Sequence, residues 1–294
     1  MAVLLMDVKG VFPHVAKGNL LKRIEEMGFE ADLVRWVESF MEERKVIMSM
    51  DGREGDSMDV EMGVPQGSPV SPVLFVIYLS GLFGRVEDTE EECGSEGIYF
   101  VDDVAWVVEG KGVGECTEIL EACAKEAQIW VKENTCQYCI GKTEAILFTR
   151  KRKNKESKMK ARIRVRNHEV QYNKKATRWL GVWLDSMFTL NNHTKKSFAK
   201  ARRAQNRVRS LMMTKGLNPV GCQRFQIAAV QAIALYEAEL WWNGKKNRPQ
   251  EVEQILNEQG RRVTGCFRTT LQGALMTVSR CDEVRRYLGI MRKI

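Results

Sequence analysis

Three aspartates occupy positions at which carboxylates can meet. Asp7 ends a short apolar run at the start of the chain, while Asp102 and Asp103 separate two further apolar runs, 98–101 and 104–108. Short apolar runs of this kind are typical of buried strands, so we expect Asp7 at a strand end and the Asp pair in the turn of a hairpin. Carboxylate oxygens are the ligands that Mg²⁺ prefers. Two such ions about 4 Å apart stabilise the attacking and leaving oxygens of an in-line displacement.

The Asp pair also has a simpler interpretation. Aspartate is common in turns, because its side chain hydrogen-bonds the nearby backbone. The flanking runs favour the metal site, since two charges at the tip of a buried hairpin need a partner and a metal ion is one such partner. The residues themselves leave both interpretations open.

The elements that would position these aspartates mix strands and helices up to about residue 185, and only helices follow. This order predicts an α+β domain followed by a helical one. A helix capped by Asn19 is expected over 20–27, and an acidic surface loop over 87–92. The predicted strands are 2–6, 45–50, 57–62, 98–101, 104–108, 145–148 and 179–184; the other predicted helices are 31–42, 73–85, 115–133, 199–213, 223–242 and 249–264.

Composition indicates a folded, basic protein. The 294 residues are 44% hydrophobic, enough for a substantial core, and the net charge of +8 suits a polyanionic partner such as nucleic acid. The densest basic stretch, 150–166, contains ten Lys and Arg residues. These side chains either contact phosphates or belong to a solvated loop.

Cysteine usage predicts a reducing compartment. The eight cysteines form no paired framework and no secretory signal is visible, so we expect reduced thiols in the nucleus or cytoplasm and no secretion. The single C-x-x-C of Cys136 and Cys139 lacks a second ligand pair and is interpreted as chance. No apolar run reaches the roughly 20 residues that would span a membrane.

Five segments resemble motifs of reverse transcriptases from non-LTR retrotransposons, in the family's order. The most specific is the Gly-Val-Pro-Gln-Gly-Ser-Pro-Val-Ser-Pro of 63–72, which is similar to the substrate loop nearly residue for residue. In the hairpin motif, Val101 replaces a residue that is usually small. The segments are 4–12 (first catalytic motif), 63–72 (substrate loop), 100–103 (catalytic hairpin), 141–144 (the motif after the catalytic helix) and 178–185 (primer-grip region).

The resemblance implies a right-hand polymerase fold. Residues 1–185 would form the palm, an antiparallel sheet with helices on one face, including the primer-grip region. Residues 186–245 would form an all-helical thumb and 246–294 a helical connecting segment. Within it, 262–270 resembles the segment after the thumb in these elements less specifically than the five motifs resemble theirs. The fingers, expected before Asp7, would be largely missing.

The implied chemistry is RNA-directed DNA polymerisation with two Mg²⁺ or Mn²⁺ ions. Asp7 and Asp102 would ligate both ions, Asp103 would support them, and the Val8 carbonyl would add an oxygen. Lys142 would protonate the leaving pyrophosphate or neutralise its charge. A solvated lysine at a strand edge is the alternative for Lys142.

The remaining implied roles concern substrates. Phe12 would exclude a 2′ hydroxyl by its bulk, with a plain core aromatic as the alternative, and Gln66 and Gly67 would line the dNTP pocket. Pro13 departs from the family, which usually has an acidic or amide residue there. The positions implied to contact the RNA template and DNA primer are Lys151, Arg152, Lys153, Trp179, Leu180 and Gly181.

Two other functions are compatible with part of the sequence. An RNA-templated RNA polymerase shares the aspartate arrangement, but the 63–72 loop speaks against it. A truncated, catalytically inactive relic that only binds nucleic acid is the alternative from another class, and Pro13 favours it. The sequence leaves the oligomeric state open.

Overall fold

A computed structural model describes residues 1–9, 12–134, 136–150, 161–216, 218–242, 250–271 and 273–275. The chain divides into two compact units, Met1–Leu180 and a second one from Gly181 onward. The strands are β1 (Ala2–Lys9), β2 (Lys45–Met50), β3 (Arg53–Asp59), β4 (Ser95–Phe100), β5 (Asp103–Val108), β6 (Gln137–Tyr138), β7 (Glu144–Leu147), β8 (Arg162–Val165), β9 (His168–Gln171), β10 (Ala176–Trp179) and β11 (Val182–Asp185). The α-helices are α1 (Lys17–Glu26), α2 (Ala31–Met41), α3 (Ser71–Cys93), α4 (Val113–Glu133), α5 (Asn191–Lys215), α6 (Pro219–Phe225), α7 (Ala232–Ala234), α8 (Ala238–Trp241) and α9 (Gln250–Thr264).

A five-stranded antiparallel sheet is the centre of the first unit as far as the structure describes it. Strand β1 lies in the middle, with the β4–β5 hairpin on one side and with β6 and β7 sharing the other edge. Every pairing in this sheet is antiparallel, so residues on neighbouring strands stand directly opposite one another. The strand that carries Asp7 is therefore flanked on both edges.

The alternation of side chains along β1 and β5 decides where the aspartates lie. Met6 and Val104 belong to the hydrophobic core cluster. Asp7 and Asp103, each one residue away, fall on the opposite face of the sheet, because successive strand residues alternate between faces. The residues that β1 and β5 contribute to this core cluster are Ala2, Leu4, Met6, Val8, Val104, Trp106 and Val108.

Helices α1, α3 and α4 contribute many of the other residues of this core. The helical spacing of Ile119, Leu120, Cys123 and Ala127 in the sequence predicts one apolar side for α4. The structure buries the last three and leaves Ile119 partly buried against the same core. The prediction for the start of α1 was wrong. The helix begins at Lys17 rather than after Asn19, whose amide instead donates to the backbone oxygen of Glu133 and to the side chain of the next residue.

Two other local predictions are corrected. Helix α3 runs to Cys93, so residues 87–92 are helical rather than a surface loop. The β2–β3 hairpin turns tightly at Asp51-Gly52, whose φ angles are 54° and 75°, so its second strand is Arg53–Asp59 rather than the predicted 57–62. Both φ values are positive, as a two-residue type I′ turn requires.

Within the described residues the β2 and β3 strands pair only with each other, and all their residues are exposed. Its large apolar side chains include Met48 and Met50, which are 67% and 79% exposed. A lone two-stranded hairpin is marginally stable in water. The hairpin is therefore the least anchored strand pair of the described part of the first unit.

The basic stretch 150–166 ends in a strand. Ile163 and Val165 are buried in the core, while Arg164 and Arg166 are exposed. This alternation shows that the described end of the stretch belongs to the β8–β9 hairpin and that Arg164 and Arg166 face solvent.

The described part of the second unit is helical after β11, as the sequence predicted. Helix α5 has a buried side formed by Phe198, Ala201 and Val208. Its opposite side exposes Lys195, Lys196, Lys200, Arg202, Arg203 and Arg207. The predicted helix 223–242 is broken, because Gln226–Gln231 forms a π-helical segment and Glu237 has a left-handed φ of 50°. None of the described helices is both long and apolar enough to cross a lipid bilayer.

Candidate active site

The strand register brings two of the three aspartates face to face. Asp7 of β1 is the Cα partner of Asp103 of β5. Asp102, in the turn just before β5, accepts a 3.0 Å hydrogen bond from the Val8 N–H through its backbone oxygen. The hairpin tip is thus tied to the end of β1. Since paired positions place side chains on the same face, the carboxylates of Asp7 and Asp103 lie together.

The turn that carries Asp102 is strained. Phe100 pairs with Asp103, so Val101 and Asp102 form a two-residue loop, and Val101 has a φ of 56°. A positive φ at the first central residue is the type II′ pattern, which favours glycine. For a β-branched residue this conformation is an outlier. Only the surrounding pairing holds Val101 there, a feature often found at functional sites.

The charges at this end of the sheet repel one another. The pKa of Asp103 is raised above its ordinary value by burial first, and then by the neighbouring charges of Asp102 and Asp7. Lys142 offsets part of this repulsion. Its Nζ donates a 2.9 Å hydrogen bond to Asp7 Oδ2, and this bond together with the charge of Asp7 raises the lysine pKa.

Lys142 reaches Asp7 because the chain between β6 and β7 is anchored to β1. The Cys139 N–H donates to the Asp7 backbone oxygen at 2.8 Å. A 3₁₀ turn over Ile140–Lys142 follows, in which the Lys142 N–H bonds the Cys139 oxygen. This short turn carries the ammonium back towards the carboxylate.

The donor set fits a divalent cation that prefers oxygen. Asp7 and Asp103 face one another, the charge of Asp102 is near enough to perturb Asp103, and Asp7 already holds a cation, the ammonium of Lys142. The described residues contain no cluster of three or more His, Cys, Asp or Glu side chains close enough to hold one ion. The fit of these carboxylates to a metal ion therefore rests on their charge and on the type of ligand atom.

The 63–72 loop is attached to the segment that follows β1. The N–H groups of Gly63 and Val64 donate to the oxygens of Val15 and Phe12 at 2.9 and 2.7 Å. Gly63 has a φ of 82°, and a Cβ there would lie 2.6 Å from the Phe12 oxygen and from the Pro13 Cα. Only glycine permits this approach.

Phe12 packs against the core. Its ring centroid lies 5.9 Å from that of Phe75, and the side chain is partly buried against the core cluster. Gln66 and Gly67 are both exposed. Gly67 has a φ of 94°, and a Cβ added there would meet no described atom within 4 Å, so backbone conformation rather than space demands glycine here.

A cavity of about 160 Å³ joins residues from three predicted groups. Its lining includes Asp7, Asp103, Lys142, Trp179 and Leu180. The buried indole N–H of Trp179 has no hydrogen-bond partner among the described residues. A buried donor without a partner is costly, so this N–H is available to a bound molecule.

The cavity also contains residues that received no role from the sequence. Glu144 and Arg178 both line it. Each belongs to one of the motif segments, 141–144 or 178–185, but the sequence does not show where its side chain points, so only the fold could identify these two.

Gly181 lies in the second unit. Leu180 and Gly181 have left-handed φ angles of 45° and 85°, so the predicted single strand 179–184 is two strands with a turn between them. A Cβ on Gly181 would approach the Tyr236 ring to 2.9 Å. Lys151, Arg152 and Lys153, the other candidate nucleic-acid contacts, lie outside the described residues.

Solved structures share the fold. Apo telomerase from Candida tropicalis superposes with a TM-score of 0.50 at 11% identity, covering 90% of this chain and 42% of the telomerase chain. At this identity the likeness establishes a reverse transcriptase fold of mixed helix and sheet.

Curated relatives come from mobile elements. The chain is similar to the RNA-directed DNA polymerase from mobile element jockey of Drosophila melanogaster, with 24% identity over 267 residues, 88% of this chain and 28% of the relative. It is also similar to the Retrovirus-related Pol polyprotein from type-1 retrotransposable element R2 of Popillia japonica, with 24% identity over 128 residues, 42% of this chain and 21% of the relative. The chain thus spans about a quarter of the length of these relatives.

The family model described as reverse transcriptase (RNA-dependent DNA polymerase) matches residues 2–184, which include the strands and turns that carry the three aspartates. This match covers more than half of the chain. The chain therefore belongs to the reverse transcriptase family.

Proposed function

We propose that this chain carries the polymerising centre of a retrotransposon RNA-directed DNA polymerase. The observation that carries the proposal is the pairing of Asp7 with Asp103 across β1 and β5, with Asp102 in the adjoining turn. This register gathers carboxylates at one end of a sheet, as two-metal chemistry on phosphates requires.

In this proposal residues 1–185 are the palm, 186–245 the thumb and 246–294 a connecting segment. The antiparallel sheet of the first unit and the helices that follow β11 support the assignment. The exposed basic side of α5 gives the thumb a surface for phosphates, which are bound largely without regard to sequence.

Two Mg²⁺ or Mn²⁺ ions would lower the barrier by activating the primer 3′ hydroxyl and by stabilising charge on the leaving pyrophosphate. Asp7, Asp102 and Asp103, with the Val8 carbonyl, would hold them. The hydroxyl oxygen would lose its proton to solvent and bond to the α-phosphorus of the dNTP, while the bond to pyrophosphate breaks. Lys142 would give a proton to the leaving oxygen or neutralise its charge.

The substrate contacts follow from the same geometry. Phe12 is held between the 63–72 loop and Phe75, so its ring would form a fixed wall under the sugar of the dNTP. Gln66 and Gly67 would line the same pocket. Trp179 and Leu180, in the cavity beside the carboxylates, would contact the primer, together with Gly181. We place the protein in the nucleus or cytoplasm, where RNA template, DNA primer and dNTPs are available.

The test separates metal binding from catalysis. We expect Mg²⁺ or Mn²⁺ to raise the melting temperature of the chain, because the ion relieves repulsion among the carboxylates. Asp102→Asn should remove most of that gain and abolish extension of a DNA primer on an RNA template. Asp56→Asn, which changes an exposed carboxylate on β3, is the control.

The outcomes distinguish the alternatives. A metal response unchanged by Asp102→Asn would place the ion elsewhere and contradict the proposal. Tight binding of an RNA–DNA duplex without any extension, by a folded chain that binds metal, would favour the inactive relic that only binds nucleic acid.

A further inference from the structure

The cation nearest the candidate metal ligands is part of the chain itself. Lys142 Nζ lies 2.9 Å from Asp7 Oδ2, and the side chains of Lys142 and Asp7 are 66% and 21% exposed. The ammonium also lowers the repulsion felt by Asp103. The charge of Asp102 also acts on Lys142, so the ammonium interacts with all three aspartates.

An ammonium and a divalent ion compete for such an oxygen. Mg²⁺ binds carboxylate oxygens at about 2.0–2.1 Å, so an ion on Oδ2 would lie within a few Å of Nζ. Like charges at that separation repel. The two cations therefore cannot both occupy the oxygen favourably.

We propose that Lys142 is the internal counter-ion of Asp7 and is displaced from Oδ2 when a divalent cation binds there. The inference rests on the proposed function and adds a regulatory step to the same site. Without metal, the lysine balances the carboxylates and keeps the end of the sheet stable. With metal, the released ammonium becomes free to meet the phosphates of a dNTP.

Two features of the structure keep the free-energy cost of displacing Lys142 low. Lys142 is mostly exposed, and its backbone is anchored through Cys139 to β1 independently of the side chain. The side chain can thus swing into solvent while the 3₁₀ turn stays in place. Exposed ion pairs are weak, so a divalent ion can replace this one.

The experiment measures Mn²⁺ binding directly, by the loss of the free-ion electron paramagnetic resonance signal, in the folded chain without nucleic acid. Lys142→Met removes the charge while keeping an unbranched side chain. We expect its Mn²⁺ affinity to rise about two- to fivefold, the factor that a weak exposed ion pair allows. Lys142→Arg, which keeps a cation, should stay near the wild-type affinity.

The control variant makes the same change in net charge at a different place in the chain. Lys17→Met removes a lysine that pairs with Glu42 on other elements of the same unit, at 2.5 Å. Its Mn²⁺ affinity should match the wild type. In the Asp7→Asn background, Lys142→Met should no longer tighten binding, because the shared ligand is gone.

The results separate two failures. If the wild type binds Mn²⁺ through Asp7 but Lys142→Met leaves the affinity unchanged or weakens it, the counter-ion proposal is wrong while the metal site stands. If Asp7→Asn binds Mn²⁺ as well as the wild type does, both the metal site and the counter-ion role are wrong.

Discussion

The ionised carboxylate of Asp103 destabilises the folded state of the metal-free chain. Its pKa is raised by burial and by the charges of Asp102 and Asp7, so ionised Asp103 is held at a cost to the fold. Between the ordinary aspartate pKa of 3.8 and the raised value, the folded state binds more protons than the unfolded state. The free energy of unfolding therefore falls as pH rises through that window, and it stays lower above it.

We predict that Asp103→Asn stabilises the metal-free chain at neutral pH by roughly 0.2–1 kcal/mol, the range of single exposed charge interactions. The gain should disappear below pH 3.8, where the carboxyl is protonated in both states. Urea unfolding in EDTA at several pH values measures it. Asp56→Asn on the exposed hairpin is the control, and a gain that persists at low pH would point to packing instead of charge.

At the scale of elements, the 63–72 loop depends on its first glycine more than on its second. Gly63 and Gly67 both have positive φ angles, but only Gly63 would bring a Cβ against backbone atoms, those of Phe12 and Pro13. Backbone atoms cannot turn aside as a side chain can. The loop and the segment after β1 thus form one unit.

We predict that Gly67→Ala costs about 1–2 kcal/mol, the usual cost of a left-handed conformation for a residue with a Cβ. Gly63→Ala should cost clearly more, since the contact adds to the same strain. Chemical unfolding of the two variants measures the difference. Equal losses would show that the loop moves freely away from Phe12.

The β2–β3 hairpin gives a second element-scale prediction. Its residues are all exposed and it pairs only with itself, whereas β1 is paired on both edges. We expect hydrogen–deuterium exchange in 45–59 to be much faster than in 2–7, because local opening exposes little apolar surface. Comparable protection would mean that another surface covers the hairpin, and a dependence on protein concentration would identify a second copy as that surface.

At the scale of the whole molecule, the net charge of +8 favours a polyanionic partner such as the proposed nucleic acid. We predict that affinity for an RNA–DNA duplex falls with salt, with a log–log slope of about −0.7 to −0.9 per phosphate contact. Neutralising Lys151, Arg152 and Lys153 should flatten the slope. The control removes the same charge at Lys17, Lys22 and Lys45. If neither change alters slope or affinity, the 150–166 stretch is only a solvated segment.

Sequence determined the parts of this protein that depend on local physics. The apolar runs around Asp7 and the Asp pair became β1, β4 and β5, because alternate burial fixes strands. The order of motifs gave the family, and the helical end of the chain was predicted as such. Where helical periodicity was strong, as in α4, the buried side was predicted correctly as well.

Tertiary structure decided what depends on neighbours distant in the chain. Asn19 was expected to cap a helix, but its side-chain amide donates a hydrogen bond to the backbone oxygen of Glu133. The contact of Lys142 with Asp7 joins residues 135 positions apart, and Arg178 and Glu144 reach the same cavity only through the fold. The sequence shows which side chains are present but not which distant residues they contact. Charge, strain and hydrogen bonding at the site arise from those partners, so only the folded chain could show them.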